Sequence, residues 1–227
     1  MLLIDGDRIE PGNLMRHTVD ITSLGESKAL AVRDRLLRIR PDGLFSVPIF
    51  SRNGRCVVEK HADQLSASLE RYTLVDCTAN DTVHDFLSRE SRRLSVPYVQ
   101  TQTYQAGRVG EFVIADPTGP CAACIKDKAV IDYPEISLSD LPEQETTIAE
   151  GCASVTQPAS AADLAVVCGL SAEGIITLLT DSSVTWNLRY WVARPIPEAP
   201  EGSIYAHGPH VWETRVETQG PCPICRP

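Results

Sequence analysis

The sequence lacks any uninterrupted apolar run near the ~18 residues that a membrane span needs, so no membrane partner is expected. It also lacks a basic surplus: 21 Lys and Arg stand against 30 Asp and Glu, a formal net charge of −9. An acidic surface repels phosphate backbones and anionic headgroups, which removes nucleic acid from the expected partners. A basic leader is missing as well. Met1-Leu2-Leu3-Ile4 meets Asp5 at once, unlike a signal peptide, and a cytoplasmic setting is expected. Histidines are few, and His17, His61, His84, His207 and His210 form no ligand pattern. His207-Gly208-Pro209-His210 reads as loop or surface.

What is present is an ordinary globular composition, 43% hydrophobic and 22% charged, on a chain long enough for one sizeable core. The pattern predicts a single domain over 1–227. Leu2-Leu3-Ile4 reads as a short buried strand closing at Asp5. Val32, Leu36 and Ile39 share one face of a helix over 26–39, and Pro41 stops it. A possible edge strand covers 44–50, with Pro48 inside it. A helix over 61–71 leads into a buried strand, 72–76, and a further helix covers 81–93. Strands are expected over 97–103 and 109–115. This alternation implies βαβ units and a mostly parallel sheet, a Rossmann-like α/β fold with flanking helices. Ligands on such sheets sit beyond the carboxyl ends of the strands, so Asp5 and Asp76 could face one crevice.

The second half differs. Residues 131–158, rich in Pro, Glu and Ser at first, read as a mobile crossover segment. An apolar helix over 159–180 is expected to be deeply buried. Segments 184–193 and 203–216 fit an antiparallel hairpin, with Trp186, Tyr190 and Trp191 as core or, in a sharper reading, a docking face.

Eight cysteines without a secretion signal argue against a disulfide framework. Four of them form two pairs, Cys121-Ala-Ala-Cys124 and Cys222-Pro-Ile-Cys225. Two intervening residues let both thiolates of a pair reach one ion, and two pairs complete the tetrahedral sulfur shell of a structural zinc. The rival reading is a redox pair or two unrelated turns. Cys168 on the apolar helix and Cys77 on a strand end are expected to pack; Cys56 has no assigned role.

Further motifs occur in order. Asp5-Gly6-Asp7 with Asn13-Leu14-Met15-Arg16, then Gly25-Glu26-Ser27-Lys28-Ala29, Ile39-Arg40-Pro41, and Leu74-Val75-Asp76-Cys77-Thr78-Ala79-Asn80 precede the paired cysteines. This ordered set resembles the ThiF/MoeB/HesA-like superfamily of ubiquitin-activating adenylyltransferases, over nearly the whole chain. The resemblance implies ATP- and Mg²⁺-dependent adenylation of the C-terminal glycine of a ubiquitin-like or sulfur-carrier protein, by a homodimer or heterodimer. Carried over by position, Asp5 meets the ATP ribose. Asn13, Arg16 and Lys28 contact phosphates and the developing charge, with Asp7 and Asn80 also lining the nucleotide site. Cys152, in Glu150-Gly151-Cys152-Ala153, matches the family's crossover cysteine and is the candidate nucleophile for a thioester. Taken singly, Asp5 could only cap a loop, Arg16 pair with a surface carboxylate, and Lys28 sit solvated on a helix.

Two departures accompany the resemblance. The family's glycine-rich phosphate loop lies before the first strand read here, so an N-terminally truncated form is expected, with an incomplete nucleotide site. Ala79 stands where the family usually has an aspartate that helps hold Mg²⁺, and a methyl group ligates no metal. Both favour the alternative of a catalytically inactive member that binds a ubiquitin-like protein or completes a heterodimer.

Overall fold

The computed structural model describes residues 1–14, 17–53, 56–142, 147–148, 155–156, 159–180, 184–217 and 222. The chain divides into two compact units, Met1–Leu65 with Thr146–Thr156, and Ser66–Glu145 with Gln157–Pro227.

The first unit is built from turns and short helices. Leu2 pairs in parallel with Ser46, the Leu3 amide donating to the Ser46 carbonyl at 2.9 Å. The two strands expected over 2–4 and 44–50 thus shrink to one bridge, because Pro48 opens a short helix, α2 (Ile49–Arg52), instead of continuing the extended run. Helix α1 (Lys28–Ile39) begins after extended Ser27 and ends at Arg40, before Pro41. An antiparallel bridge between Arg8 and Ser27 brings the Asp5–Ile9 loop against the start of α1. Gly25, with φ of 80°, supplies the left-handed turn that lets its amide reach the Ile9 carbonyl at 2.8 Å. Ile9, Val19 and Ala31 form a small core with Leu14 and Val32 around it. Several large apolar side chains of this unit stay exposed, among them Leu44, Ile39 and Ile49. Helix α3 (Val58–Leu69) begins in this unit and runs past its boundary at Leu65.

The second unit holds a five-stranded sheet. Strand β1 (Leu74–Asp76) is followed by α4 (Asp81–Leu94), β2 (Tyr98–Tyr104), β3 (Val109–Ala115) and α5 (Ala122–Asp132). Two short strands of the first unit, β4 (Thr147–Ile148) and β5 (Val155–Thr156), pair with each other. Then come α6 (Ala161–Thr180), β6 (Leu188–Val192) and β7 (His210–Thr214). The sheet order is β1-β2-β3-β6-β7. The α/β layering, the flanking helices and the C-terminal antiparallel hairpin are as expected. The strand directions are more mixed: β1 and β2 run parallel, and the other pairings are antiparallel. For β2 and β3 the reason is the 105–107 turn, which is too short for the crossover that parallel strands require.

One face of the sheet packs Val99, Phe112 and Ile114 against Val167 and Trp186. Helix α6 reaches it closely at Gly110 and is pinned by a 2.8 Å contact between the Thr101 and Ser171 hydroxyls. By length and composition alone, α6 is apolar enough to cross a membrane. Deep burial was expected for it, yet only Val167 and Gly174 are buried, and Ile176 and Leu179 are exposed. Its apolar residues run all round, and one sheet face covers only one side. Cys168 accordingly lies exposed, and so does Cys77, against the expectation that both pack. Trp186 and Tyr190 are core residues, as the bland reading had it.

Candidate functional site

In the first unit, the Asp5–Ile9 loop and the first turn of α1 form one polar cluster. The loop shape follows from local bonds: the Asp7 amide donates to Asp5 Oδ1 at 2.8 Å, an Asx-type turn. Buried Ser51 clamps the Asp5 backbone from the other side, accepting from its amide at 2.8 Å and donating to its carbonyl at 2.6 Å. Lys28, 7% exposed, is held at both ends, its amide on the Asp7 carbonyl and its Nζ 2.9 Å from Asp7 Oδ2. Burial raises the Asp5 carboxyl above its ordinary range, while the Asp7 amide and the charge of Lys28 oppose the rise. Asp5, Asp7 and Lys28 are therefore brought together, and the positive end of α1 lies at the same place.

Asn13 is fully buried, its Oδ1 accepting from the Glu10 amide at 3.0 Å. Among the described residues its Nδ2 has no partner, a buried donor of the kind an anionic group satisfies. Arg16 lies outside the described residues.

In the second unit, the turn after β1 holds Asn80. Its Oδ1 caps α4 by accepting from the Val83 amide at 3.2 Å, which leaves its Nδ2 as the free end. Ala79 adopts a left-handed φ of 48°. Within the turn, Ala79 offers no oxygen and Asn80 Oδ1 is committed, so the side chains present do not fit the family's Mg²⁺ site. Asp76 does not face outward from the strand end. Its carboxylate is buried, accepting from the Thr78 amide at 3.0 Å, the Thr78 hydroxyl at 2.8 Å, His84 Nδ1 at 2.8 Å and the Tyr98 hydroxyl at 3.0 Å. Burial works against its ionisation, but His84 and Thr78 outweigh that and hold the carboxyl below its usual range. His84 mirrors it: burial disfavours its charge, but Asp76 outweighs burial and raises its pKa.

The chain continues through residues that sequence reasoning missed. His84 Nε2 lies 3.2 Å from Gln102 Oε1, and Gln102 Nε2 donates to Glu111 Oε1 at 2.6 Å. Glu111 is 1% exposed and also receives the Tyr190 hydroxyl at 2.8 Å, with Lys126 Nζ at 3.7 Å. Burial pushes the Tyr104 and Tyr190 phenols up, so both stay protonated donors. One signal was available: Glu111 is the lone charge in the run Val109-Gly-Glu-Phe-Val-Ile-Ala115. A charge inside an apolar strand needs partners across the sheet.

The third cluster is the cysteines. Cys121, just before α5, Cys124 in its first turn and Cys222 place their sulfurs within 4.8 Å of one another. Cys121 and Cys222 Sγ are 3.8 Å apart, far longer than a disulfide. At Zn–S bonds of ~2.3 Å, the edge of a tetrahedral sulfur shell is about 3.8 Å, so the spacing fits a shared ion. Arg92 of α4 braces this corner by donating to the Pro117 and Gly119 carbonyls. Cys225 and Cys152 lie outside the described residues.

Three comparisons bear on these clusters. The chain is 26% identical over 140 residues to the ATP-dependent ubiquitin transferase-like protein Cap2 of Enterobacter hormaechei subsp. hoffmannii (strain UCI 50), covering 61% of this chain and 22% of that protein. Among solved structures it resembles E. coli MccB bound to MccA-N7isoASN, with a TM-score of 0.66 at 15% identity over 100% of this chain and 60% of that one. MccB with ATP gives 0.64 at 13% identity, and PaaA 0.58 at 15% identity. The chain thus spans less than two thirds of the length of these relatives, and the structural likeness speaks for the fold. The model of the ThiF family matches residues 1–196, through both units, and the chain belongs to the ThiF family.

Proposed function

We propose that this chain takes part in ATP-dependent adenylation of the C-terminal carboxylate of a peptide or small protein, more finely the terminal glycine of a ubiquitin-like or sulfur-carrier protein. The observation that carries the reading is the cluster of Asp5, Asp7 and buried Lys28 at the start of α1, beside a buried and unpartnered Asn13 amide. A buried ammonium and an orphaned amide donor suit phosphate oxygens, and a carboxylate at the loop suits a ribose hydroxyl. MccB structures with ATP and with MccA, and the ubiquitin transferase-like Cap2, support both a nucleotide and a peptide or ubiquitin-like partner.

In this reading the carboxylate oxygen of the carrier attacks the α-phosphorus of ATP, forming the acyl-phosphate bond and releasing pyrophosphate. Lys28 and Asn13, with Arg16, hold the phosphates; Asp5 orients the ribose, and Asp7 holds Lys28 in place. No step is routed through Mg²⁺, because Ala79 withholds the ligand. Cys152 then takes the acyl group as a thioester, releasing AMP. Cys121, Cys124, Cys222 and Cys225 hold a structural zinc that closes off the cysteines from redox chemistry. A reducing cytoplasm keeps such thiolates available, and association into a homodimer or heterodimer belongs to the same reading.

A second reading, a non-catalytic member that binds the carrier or completes a heterodimer, is favoured by Ala79. ATP–pyrophosphate exchange on the full-length protein, with a carrier ending in Gly-Gly, separates the two. Exchange is expected, and its absence from folded protein defeats adenylation. Cys152→Ala is expected to abolish a reducible carrier adduct while sparing exchange; a persisting adduct removes Cys152 from its role.

A further inference from the structure

The turn between β1 and α4 rests on a buried chain of charges that the adenylation reading leaves without a task. Asp76 uses both carboxylate oxygens, two acceptor contacts on each, and all four donors come from its own unit. It has no lone pair to spare for a ligand, so its work is internal. The donor that carries charge is His84. The state of its ring follows from its neighbours. On one side Nδ1 faces a carboxylate, which only accepts. On the other side Nε2 faces Gln102, whose orientation is set from beyond: its Nε2 group donates to Glu111 and also contacts the Tyr104 hydroxyl. Turning the amide over would set its oxygen against the Glu111 carboxylate, so Oε1 must face the histidine. Both ring nitrogens therefore meet acceptors, and both carry protons.

We propose that His84 is a positioning residue, an imidazolium locked between Asp76 and Gln102 that fixes the Asp76–Asn80 turn in the shape a nucleotide meets, without itself touching substrate. The proposal rests on the adenylation reading for what the turn is for, and on geometry for what His84 does. The turn needs holding. Ala79 sits in the left-handed region, which disfavours a residue with a Cβ. Thr78 on one side is bound to Asp76, and Asn80 on the other caps the helix that carries His84. Without the imidazolium, Asp76 becomes a buried carboxylate lacking its counter-charge, a costly state that is relieved by moving the turn. Two ion pairs, Asp76 with His84 and Glu111 with Lys126, are joined through the Gln102 amide.

Titration follows from the same contacts. The groups facing His84 are Asp76 from β1, Gln102 from β2 and, at longer range, Lys126 from α5; Asp76 prevails and raises the histidine pKa. A raised folded-state value means that the lock is complete below about pH 6.5, the ordinary histidine value, and weakens as pH climbs through the folded value. Above it the bare Nε2 lone pair opposes the Gln102 oxygen.

Nitrogen-15 NMR of histidine-labelled full-length protein tests the state, with the His84 signal assigned by its loss in His84→Gln. On pH titration both ring nitrogens are expected to stay protonated to a pH above the ordinary histidine value; loss of the proton at or below that value overturns the proposal. Exchange kinetics test the role. His84→Gln, which keeps size and polarity but no charge, is expected to raise KM for ATP about tenfold with kcat within about threefold. It should also flatten the rise of KM as pH climbs through the folded histidine value, and His84→Arg, which keeps a cation, is expected to recover most of the loss. Wild-type KM in His84→Gln refutes the role. Amide hydrogen exchange at Thr78, Ala79 and Asn80 is read alongside, faster in His84→Gln and near wild type in His84→Arg. Should the unmodified protein show no pyrophosphate exchange, the adenylation reading fails, while NMR and hydrogen exchange still decide on His84. Equal hydrogen exchange in all three proteins refutes the lock.

Discussion

The two units solve the same problem, holding polar groups in fixed positions, by opposite means. The N-terminal unit relies on turns and isolated bridges: an Asx turn at Asp5–Asp7, short 3₁₀ turns, and the bridges Leu2 to Ser46 and Arg8 to Ser27. The sheet-bearing unit relies on distance: Asp76, His84, Gln102, Glu111 and Tyr190 come from five different elements. The first arrangement leaves Asn13 Nδ2 without a partner among the described residues; the Asp76–Glu111 network consumes its own donors internally. The first cluster is thus receptive and the second rigid.

The largest test of this contrast is at the cysteines. Cys222→Ser, or removal of metal by a chelator, is expected to lower the unfolding free energy by more than about 4 kcal/mol, the linkage value for a ligand a thousandfold above its dissociation constant. Denaturant titration with a zinc assay measures it, and an unchanged midpoint removes the metal from the structure. Next comes Lys28→Ala in the receptive unit. ATP–pyrophosphate exchange is expected to fall about 10²–10³-fold. Stability should change by only ~0–1 kcal/mol, because the Asp7 partner is 59% exposed. If the protein instead unfolds, Lys28 belongs to the rigid class and the contrast breaks. In the sheet-bearing unit the order reverses: Tyr190→Phe removes a donor to buried Glu111 and should cost about 1.5–3 kcal/mol, with exchange nearly unchanged. Differential scanning calorimetry beside the exchange assay reads both. The smallest effect is Ala79→Gly. Relief of the left-handed strain at a small entropic cost is expected to raise stability by about 0.5 kcal/mol; a loss would mean that the alanine methyl makes contacts the turn needs.

Much of the sheet-bearing unit was legible in the sequence. The helices at 81–94 and 161–180, the strands at 98–104 and 109–115 and the C-terminal hairpin follow from apolar period and from punctuation by Pro and Gly. So did the meeting of Cys121 and Cys124 with Cys222, since paired spacing carries chemical meaning. The strand at 2–4 was less legible. Periodicity states that a segment is able to pair, not that a partner lies alongside, and here only Leu2 finds one. Helix α6 misled for a related reason: composition reports what a helix is able to bury, not what covers it. The Asp76–Glu111 chain was invisible because each member alone reads as an ordinary polar residue. Only the register that sets Asp76 beside Gln100 and Glu111 beside Gln102 brings them into one line.

Gly110 gives the sheet a consequence of its own. A methyl group there would meet Val167 Cγ2 at 2.8 Å, and valine's branched side chain has little room to retreat. The missing carbon therefore acts as a locating notch. It sets the depth at which α6 seats and, through the Thr101–Ser171 contact, its rotation. Enlarging Gly110 would lift and roll the whole rod, shifting Glu173 away from Arg189 and the entire outward stripe with it.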